Sequence, residues 1–567
     1  MALKPELQLD HDRYLLAFDS REAPAYRYDL VVLGSGIAGS AAALEAARKG
    51  LTVAVLAKAD LGETNTRYAQ GGIAAVLDPG DSFESHIADT LAVGCGLCDE
   101  DTVEAVVRGA PQAVEALLSV GARLDHEANG DFVLSREGGH SYPRIIHALG
   151  DATGLEIQRA MREAVESEGR ITTFPGTLAI DLLTHDDGRA AGVLTRTARG
   201  DLVAFCATDV LFATGGSGQI YRETTNPPVA TGDGLAMASR AGAALRDLEF
   251  VQFHPTCLYI AGAARVLISE IVRGAGGVLR DKDGVRFMPD YHPDAELAPR
   301  DVVSRAVFRR MVETQDTNVY LDLTGLSGDP HKLFPGIGRV CELFGIDIAR
   351  DLVPVRPGAH YQIGGIAVDR LGKSSLPGLW AVGEVAATGL HGANRMGSNS
   401  LLEGLVLGRE TGLAIASECA ESPVLRRFSG SPRQRRGLAQ RSFKVNVEDL
   451  TYSLKSIMWR QMGVQRTAEG LSDAAEKLGF WSRVVHDLAE RDSSTIQLIN
   501  MLSVARLATV SANSREESRG VHYRTDFSEM RDEWCAHSEL RPVIKGDRVT
   551  HVEFHRVMVE AARTASR

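Results

Sequence analysis

Residues Tyr28 to Gly50 read YDLVVLGSGIAGSAAALEAARKG, and this stretch decides the fold. Its first part, 29–33, is a short apolar run typical of a strand, and 40–49 is an Ala-rich helical segment ended by a glycine. Between them, the spacing G-x-G-x-x-G permits a tight turn, close approach of a pyrophosphate, and tight packing of helix on strand. Free N–H groups at the helix N-terminus attract the same anion. The stretch therefore predicts a dinucleotide site formed by Gly34, Ser35, Gly36, Ile37, Ala38 and Gly39.

One residue type that a plain NAD site requires is missing. The second strand, 52–56, follows at the expected distance, but it runs into Ala57 and Lys58 where an acid would hold the ribose hydroxyls. The order strand, helix, strand indicates an α/β fold. The missing acid argues against NAD and leaves the identity of the dinucleotide open at this point.

Length and charge argue against several kinds of protein. The 567 residues suffice for about three or four domains with cores of their own. The net charge of −12 opposes nonspecific binding to nucleic acid or to anionic lipid. The sequence has neither an uncharged apolar stretch of about 18 residues nor an apolar signal segment near its N-terminus. We therefore expect a cytoplasmic protein without a membrane span.

The cysteines predict neither a disulfide framework nor a metal site. There are 7 of them, an odd number scattered along the chain, as is usual in a reducing compartment. Cys95 and Cys98 form a C-x-x-C pair, but no second pair stands nearby to complete a four-ligand site. We interpret them as ordinary thiols and predict no bound metal.

Glycine-containing loops recur between strand-like runs and helical segments, at 70–72 (QGG), 213–216 (ATGG), 231–234 (TGDG) and 383–384 (GE). A change of composition between 250 and 360 indicates an inserted domain, and the chain from about 432 onward has helical periodicity. The polar loop 135–147, SREGGHSYPRIIH, carries several ionisable side chains, and such a loop on its own usually faces water. Its ionisable residues are Arg136, Glu137, His140, Arg144 and His147.

These motifs together resemble one family. The chain is similar to the flavoprotein family of succinate dehydrogenase, fumarate reductase and L-aspartate oxidase, over about 28–527, in GSGIAG, AQGG, ATGG, TGDG, QFHPT, SExxRGxGG, PRD, HYQIGGI, GEVA, GANRMGSNSL and ESRGVHYRTDF. The resemblance implies an α/β protein with a Rossmann-like FAD-binding domain (1–248 and 361–431). An α+β capping domain (249–360) would interrupt it, and a helical C-terminal domain (432–567) would follow.

The resemblance also accounts for the missing acid. Family members carry a Lys-containing turn where Lys58 stands, and Glu384 matches the carboxylate that holds the ribityl side of the flavin. Asn65 stands where membrane-bound relatives have a histidine that is covalently linked to FAD, so we expect FAD to be bound noncovalently. The other FAD contacts implied are Gln70, Gly71, Gly72, Ala213, Thr214, Gly215, Asp233, Ser400 and Leu401.

The same resemblance implies a site for a four-carbon dicarboxylate, which needs cations and donors at both ends. Arg300 matches the family's proton-transferring arginine. Because an arginine pKa lies above 12, such a base needs a relay, for which Glu270 and Arg273 match the family's residues. Alternatively, Arg300 forms an ion pair with Asp301 or a helix-cap contact. The residues implied to bind the substrate are His254, Ser269, His360 and Arg395.

Three functions compete within this family. The first is oxidation of L-aspartate to iminoaspartate with oxygen, giving hydrogen peroxide, or with fumarate as electron acceptor. This would be the first step of NAD biosynthesis through quinolinate, with a transient contact with quinolinate synthase left open. The second is the flavoprotein subunit of a membrane-bound succinate dehydrogenase or fumarate reductase complex, and the third is flavin binding without catalysis.

Glu137 favours the first function. It matches the aspartate-oxidising form of the loop, and a carboxylate there would both attract the substrate's ammonium group and take part in the chemistry. Alternatively, Glu137 pairs with Arg136 or Arg144 on the loop surface, where such a pair contributes about 1 kcal/mol or less. We therefore predict L-aspartate as the substrate and expect no partner nucleic acid or membrane.

Overall fold

The computed structural model describes residues 7–16, 18, 24–262, 266–421, 445–488 and 491–559. The predicted boundary between 431 and 432 lies outside these ranges. Before residue 250 the elements are β1 (Leu7–Asp12), β2 (Ala25–Leu33), α1 (Ile37–Arg48), β3 (Val53–Leu56), β4 (Ile73–Ala74), α2 (Phe83–Val93), α3 (Glu100–Ser119), β5 (Leu134–Ser135), β6 (Ile145–Ile146), α4 (Thr153–Ser167), β7 (Ile171–Phe174), β8 (Leu178–Thr184), β9 (Ala190–Arg196), β10 (Leu202–Phe212), α5 (Asp233–Ala241) and β11 (Leu245–Arg246).

The elements of the predicted cap follow: β12 (Val251–Leu258), β13 (Val266–Leu267), α6 (Ile271–Gly274), β14 (Val278–Arg280), α7 (Arg300–Thr314), β15 (Val319–Asp322), α8 (Pro330–Leu333), α9 (Pro335–Glu342) and β16 (Val353–Gln362). The rest of the chain contains β17 (Gly365–Ala367), β18 (Leu379–Ala381), β19 (Ala386–Ala387), α10 (Asn399–Glu421), α11 (Val447–Gln461), α12 (Ala468–His486), α13 (Ser493–Ser514), β20 (Ala536–Lys545) and β21 (Arg548–Met558).

A seven-stranded sheet carries the predicted dinucleotide unit. Its order is β7-β3-β2-β10-β9-β8, and β18 also pairs with β10. Strands β7, β3, β2, β10 and β18 run parallel to one another, whereas β9 pairs antiparallel with both β10 and β8. All four residues of β3 are buried. The helix after β2 begins at Ile37, earlier than the predicted residue 40, because Gly36 is its N-cap and accepts a bond from Ser40 N at 2.9 Å. The predicted α/β fold class is confirmed.

Two glycines of the motif allow backbone segments to touch. Gly34 has φ of +113°, and a Cβ there would lie 2.1 Å from the carbonyl oxygen of Ala213, the residue after β10. A Cβ on Gly39 would lie 2.3 Å from the carbonyl oxygen of Gly34. Glycine at these positions therefore lets β10, the loop and α1 meet at the carboxyl end of the sheet.

The predicted cap is an antiparallel sheet with helices packed on it. Its strand order is β13-β12-β16-β15-β14, and α7 packs against β12. A separate apolar core within this segment includes Val272, Phe287, Val307 and Leu321. Strand β16 runs to Gln362, two residues past the predicted end of the cap at 360.

The C-terminal region contains the predicted helices and, in addition, a β-ribbon. Strands β20 and β21 pair with each other and with β11 and β1, in a six-stranded sheet of order β1-β21-β20-β11-β17-β19. Among the described residues, α13 is long and apolar enough to cross a membrane by length and composition, with a mean hydropathy of 1.2. Because 89% of the most apolar 18-residue segment of α13 is buried inside the fold, α13 is a core helix in this structure.

Candidate active site

A cavity, partly open to solvent, lies between the carboxyl ends of the parallel strands and the predicted cap. Two predicted site residues do not line it. Gly39 packs α1 onto the loop instead, and Arg273 lies behind Glu270. The other predicted site residues all line it: Gly34, Ser35, Gly36, Ile37, Ala38, Lys58, Gln70, Gly71, Gly72, Glu137, Ala213, Thr214, Gly215, Asp233, His254, Ser269, Glu270, Arg300, His360, Glu384, Arg395, Ser400 and Leu401.

One wall of the cavity is braced by a helix from the C-terminal region. Lys58 Nζ lies 2.6 Å from Asp233 Oδ2 and 2.5 Å from Thr231 Oγ1. Asn500 of α13 donates from Nδ2 to Asp233 Oδ1 at 2.8 Å, and it accepts from Arg240 Nη1 at 2.7 Å. At the position after β3 where a ribose-binding acid would otherwise stand, the chain thus has Lys58. This lysine makes an ion pair with Asp233, the first residue of α5.

The wall around Glu384 presents unsatisfied polar groups. Glu384 Oε2 accepts from Asn65 Nδ2 at 2.7 Å, and its Oε1 accepts from the backbone N–H of Gln362 at 2.9 Å. Burial raises the pKa of Glu384, against the effect of these N–H groups. Within the described structure, Asn65 Oδ1, Gln70 Oε1 and Thr214 Oγ1 are buried without a hydrogen-bond partner. Buried polar atoms of this kind fit a polar ligand such as FAD.

Two histidines stand together at the other end of the cavity. His254 of β12 and His360 of β16 have ring centroids 5.2 Å apart. The backbone N–H of Thr256 donates to His254 Nδ1 at 3.3 Å, so a neutral His254 carries its proton on Nε2. Thr225 Oγ1 lies 2.9 Å from His360 Nδ1. Burial and then nearby arginines hold the pKa of both histidines well below the usual range, so both are neutral hydrogen-bonding groups at neutral pH.

Arg395 is a buried cation without a carboxylate partner among the described residues. It donates from Nη2 to Ser400 Oγ at 2.6 Å and from Nη1 to Gln252 Oε1 at 3.2 Å. Its guanidinium lies 4.6 Å from the ring centroid of Tyr361, and its Nε has no partner. Burial, then the neighbouring Arg300, lowers the pKa of Arg395 to about 10. A carboxylate entering the cavity would supply the missing counter-charge.

Arg300 belongs to a buried chain of charges. Its Nε donates to Glu270 Oε2 at 2.6 Å, and Arg273 Nη2 lies 3.6 Å from Glu270 Oε1. Burial alone would lower the pKa of Arg300, but the Glu270 and Glu137 carboxylates raise it overall. The alternative ion pair with Asp301 is wrong, because Asp301 pairs with Arg305 at 2.8 Å.

Glu137 is buried at the cavity wall, with 4% of its surface exposed. Ser398 Oγ donates to Glu137 Oε2 at 2.9 Å, and Arg300 Nη2 lies 3.9 Å from the same oxygen. Burial raises the pKa of Glu137, although Arg300 opposes this. The alternative surface pair with Arg144 is wrong, because Arg144 pairs with two aspartates of another segment. The loop is not solvated, since its buried side chains include Glu137, His140, Arg144 and His147.

Two residues with a clear structural part in the site were not predicted. Gln252 Oε1 accepts from Arg300 Nη1 at 3.3 Å and from Arg395 Nη1, so one amide oxygen connects the two cations. Ser398 holds Glu137 in place. Both stand inside the motifs QFHPT and GANRMGSNSL, but a glutamine and a serine have too many ordinary roles for the sequence alone to assign these contacts.

Comparisons with known proteins identify the family to which the chain belongs. Residues 29–401 match the FAD binding domain family, and residues 451–567 match the family described as fumarate reductase flavoprotein C-term. The L-aspartate oxidase of Streptomyces coelicolor is 44% identical over 531 residues, covering 90% of this chain and 91% of the relative. The L-aspartate oxidase of Mycobacterium tuberculosis is 44% identical over 517 residues, covering 89% and 94%.

Among solved structures, a mutated E. coli quinol fumarate reductase FrdA is 32% identical, with a TM-score of 0.85, over 94% of this chain and 97% of that chain. Mycobacterium smegmatis Sdh1 in complex with UQ1 is 32% identical, with a TM-score of 0.81, over 95% of both chains. These structures share the fold, whereas the curated relatives of higher identity are L-aspartate oxidases. FAD is therefore the cofactor, and the chain belongs to the L-aspartate oxidase family within the fumarate reductase type of flavoproteins.

Proposed function

We propose that this chain oxidises L-aspartate to iminoaspartate in the cavity described above, with oxygen or fumarate as the electron acceptor. The observation that carries the proposal is the position of Glu137. Glu137 is a buried carboxylate in the part of the cavity where two lining cations, Arg300 and Arg395, also lie. This arrangement suits a substrate with two carboxylates and one ammonium group, because each substrate charge meets its opposite.

In the proposed complex, Arg395 binds one substrate carboxylate through its guanidinium N–H groups, of which Nε has no partner in the described structure. His254, protonated on Nε2, donates a hydrogen bond to the other end together with the Ser269 hydroxyl. His360 lies beside His254, so the two substrate carboxylates are surrounded by the Arg395 cation and by neutral hydrogen-bonding side chains. Glu137 accepts hydrogen bonds from the substrate's ammonium group.

Proton movement in the proposed reaction uses Arg300 and Glu270. Arg300 is firmly protonated at rest, so it cannot act as a base without losing a proton at the same time. Its Nε–H already donates to Glu270 Oε2, which allows a proton taken up at Nη2 to be balanced by one passed to Glu270. Burial raises the pKa of Glu270, but Arg300 and then Arg273, which lies 3.6 Å from the other Glu270 oxygen, lower it overall and so favour its return to the ionised state.

FAD, when bound, supplies the acceptor for the hydride that leaves the substrate α-carbon. The groups around Glu384 and Lys58 would hold FAD. The end of the cavity that contains Arg395 would hold the substrate next to the bound FAD. By the same reasoning, fumarate bound between Arg395 and the histidines would receive a proton from Arg300 and a hydride, which reduced FAD would supply, and leave as succinate. The product of the forward reaction would enter quinolinate formation in the cytoplasm, with a transient contact with quinolinate synthase.

The test is anaerobic mixing of the FAD-loaded protein with L-aspartate or with succinate. L-aspartate is expected to bleach the flavin absorbance, and admission of oxygen is expected to restore it with formation of hydrogen peroxide. Bleaching by succinate but not by L-aspartate would contradict the proposal and favour the flavoprotein subunit of a dicarboxylate complex. A protein that holds FAD and is bleached by neither would favour binding without catalysis.

A further inference from the structure

The loop that carries Glu137 has no regular secondary structure between β5 and β6, yet its acid must stand at one place in the cavity. We propose that His140 is a positioning residue that fastens this loop to the loop carrying Arg395 and thereby sets the preference for L-aspartate. The proposal rests on the proposed function, since it concerns how Glu137 is held for the ammonium group. It is carried by contacts of His140 with both loops.

The protonation of His140 is fixed by its neighbours. Arg144 Nη1 lies 3.4 Å from His140 Nδ1, and a guanidinium can only donate. His140 Nδ1 must therefore accept, and the neutral ring carries its proton on Nε2. That Nε2–H donates to the carbonyl oxygen of Gly397 at 3.0 Å. Burial lowers the pKa of His140 to about 4, so the ring stays neutral in this one form at working pH.

Arg144 is itself held in place by two aspartates, Asp81 and Asp89, so its side chain has a well-defined position. It bonds Asp81 through two N–H groups, at 2.8 Å from Nε and 2.9 Å from Nη2. Its Nη1 donates to Asp89 Oδ2 at 2.6 Å, and that aspartate also accepts from the backbone N–H and hydroxyl of Ser141. Arg144 is only 1% exposed. The position of His140 is thus set from α2, outside the cavity.

The two contacts of His140 lead directly to Glu137. Its backbone N–H donates to the Glu137 carbonyl oxygen at 3.2 Å and closes the turn that presents the acid. On the other loop, a Cβ at Gly397 would lie 2.4 Å from Glu137 Oε2 and 2.9 Å from Arg300 Nη2. The Gly397 backbone therefore packs directly against the ends of both the Glu137 and the Arg300 side chains. By holding its carbonyl oxygen, His140 holds the distance between the acid and the arginine.

Two substitutions separate this role from a general one in folding. In His140→Gln, the amide N–H reaches the place of Nε2 and keeps the bond to Gly397, whereas in His140→Asn the amide reaches only the place of Nδ1. We expect the Gln variant to keep the Michaelis constant for L-aspartate within about threefold. We expect the Asn variant to raise it at least about tenfold while the Michaelis constant for fumarate changes less than about threefold, a loss of the size of one hydrogen bond.

Both variants are measured as FAD-loaded protein, with FAD content and melting temperature recorded beside the kinetics. Asp89→Asn weakens the support of Arg144 without changing the His140 side chain itself. It is expected to raise the ratio of the Michaelis constant for L-aspartate to that for fumarate in the same way. Equal ratios in the parent and in both His140→Asn and Asp89→Asn, or loss of FAD from Gln and Asn variants alike, would overturn the proposal. A parent that does not oxidise L-aspartate would instead contradict the proposed function.

Discussion

Glu137 Oε2 and Arg300 Nη2 lie 3.9 Å apart at the inner end of the cavity, too far for a hydrogen bond and close enough for both to reach one ligand atom. The two side chains come from different parts of the chain, one from the loop before β6 and one from the start of α7. Each also has its own support, Ser398 for the acid and Glu270 for the arginine. An open, supported pair of this kind lets Glu137 accept from a substrate ammonium group while Arg300 faces a neighbouring atom of the same ligand.

Replacing Arg300 with Leu is expected to abolish turnover and leave FAD bound. Acid–base help of this kind is worth about a hundred- to ten-thousand-fold in rate, and no other lining cation bonds Glu270 directly. Steady-state rates with L-aspartate measure the loss. Arg309→Leu is the matched control, because Arg309 lies on the same helix with 65% of its side chain exposed. An Arg300→Leu rate within about fivefold of the parent would remove Arg300 from the chemistry.

FAD is expected to be released intact when the protein is denatured. Asn65 lines the cavity at the position where covalently flavinylated relatives have a histidine, and an amide cannot form that bond. Its Nδ2 is moreover engaged with Glu384 at 2.7 Å. Acid precipitation followed by absorbance of supernatant and pellet measures the outcome. All of the yellow colour should remain in the supernatant, and flavin retained in the washed pellet would contradict noncovalent binding.

The protein is expected to lose stability in mild acid, in part through the stacked pair of His11 and His486, whose rings lie 4.7 Å apart. Burial lowers the pKa of His11 to about 4, against about 6.5 in an unfolded chain. Between these values the unfolded state binds a proton that the folded state does not. The stabilising effect is therefore complete above about pH 6.5 and is lost as the pH falls toward 4.

For His11 alone this linkage amounts to about 2 kcal/mol between pH 7.5 and 5. His11→Phe keeps a stacked ring and removes the titrating group, so the fall in unfolding free energy over this range should be smaller by about that amount. Chemical denaturation at the two pH values measures it. The exposed His555 provides the control substitution, His555→Phe. An unchanged fall in the His11 variant would show that the pair does not titrate as described.

The sequence predicts well those features that depend on local spacing. The turn at Gly34, the strand and helix around it, and the order of the glycine loops all follow from backbone geometry that few residue types allow. The β20–β21 ribbon was missed, because its stability comes from pairing with β1 and β11, far away in the chain. The burial of the Glu137 loop was missed for the same reason, since the partners of Arg144 lie about 60 residues earlier.

The site residues also divide into those that the sequence could assign and those that it could not. Charged groups such as Arg300 and Arg395 stand in recognisable motifs, and the structure brings them to one cavity. Gln252 and Ser398 could not be assigned, because neutral amides and hydroxyls carry no signal until their partners are seen. Gly39 illustrates the opposite case, a motif residue whose effect on the site is indirect, through the packing of α1.

In the proposed function, the Glu137 carboxylate makes this cavity a site for L-aspartate. Two unit charges about 4 Å apart at an effective dielectric near 20 interact by about 4 kcal/mol, an upper figure that corresponds to about three decades in binding. Glu137→Gln retains the shape and the bond from Ser398 while removing the charge. The exposed Glu127 on a neighbouring turn offers the matched control, Glu127→Gln.

The most direct test is to measure kcat/KM for L-aspartate oxidation and for fumarate reduction in the parent, Glu137→Gln and Glu127→Gln, all loaded with FAD. Glu137→Gln is expected to lower kcat/KM for L-aspartate by about a hundredfold or more, with fumarate reduction retained or improved and the control unchanged. Equal loss of both activities in Glu137→Gln, or an unchanged preference for L-aspartate, would contradict this expectation.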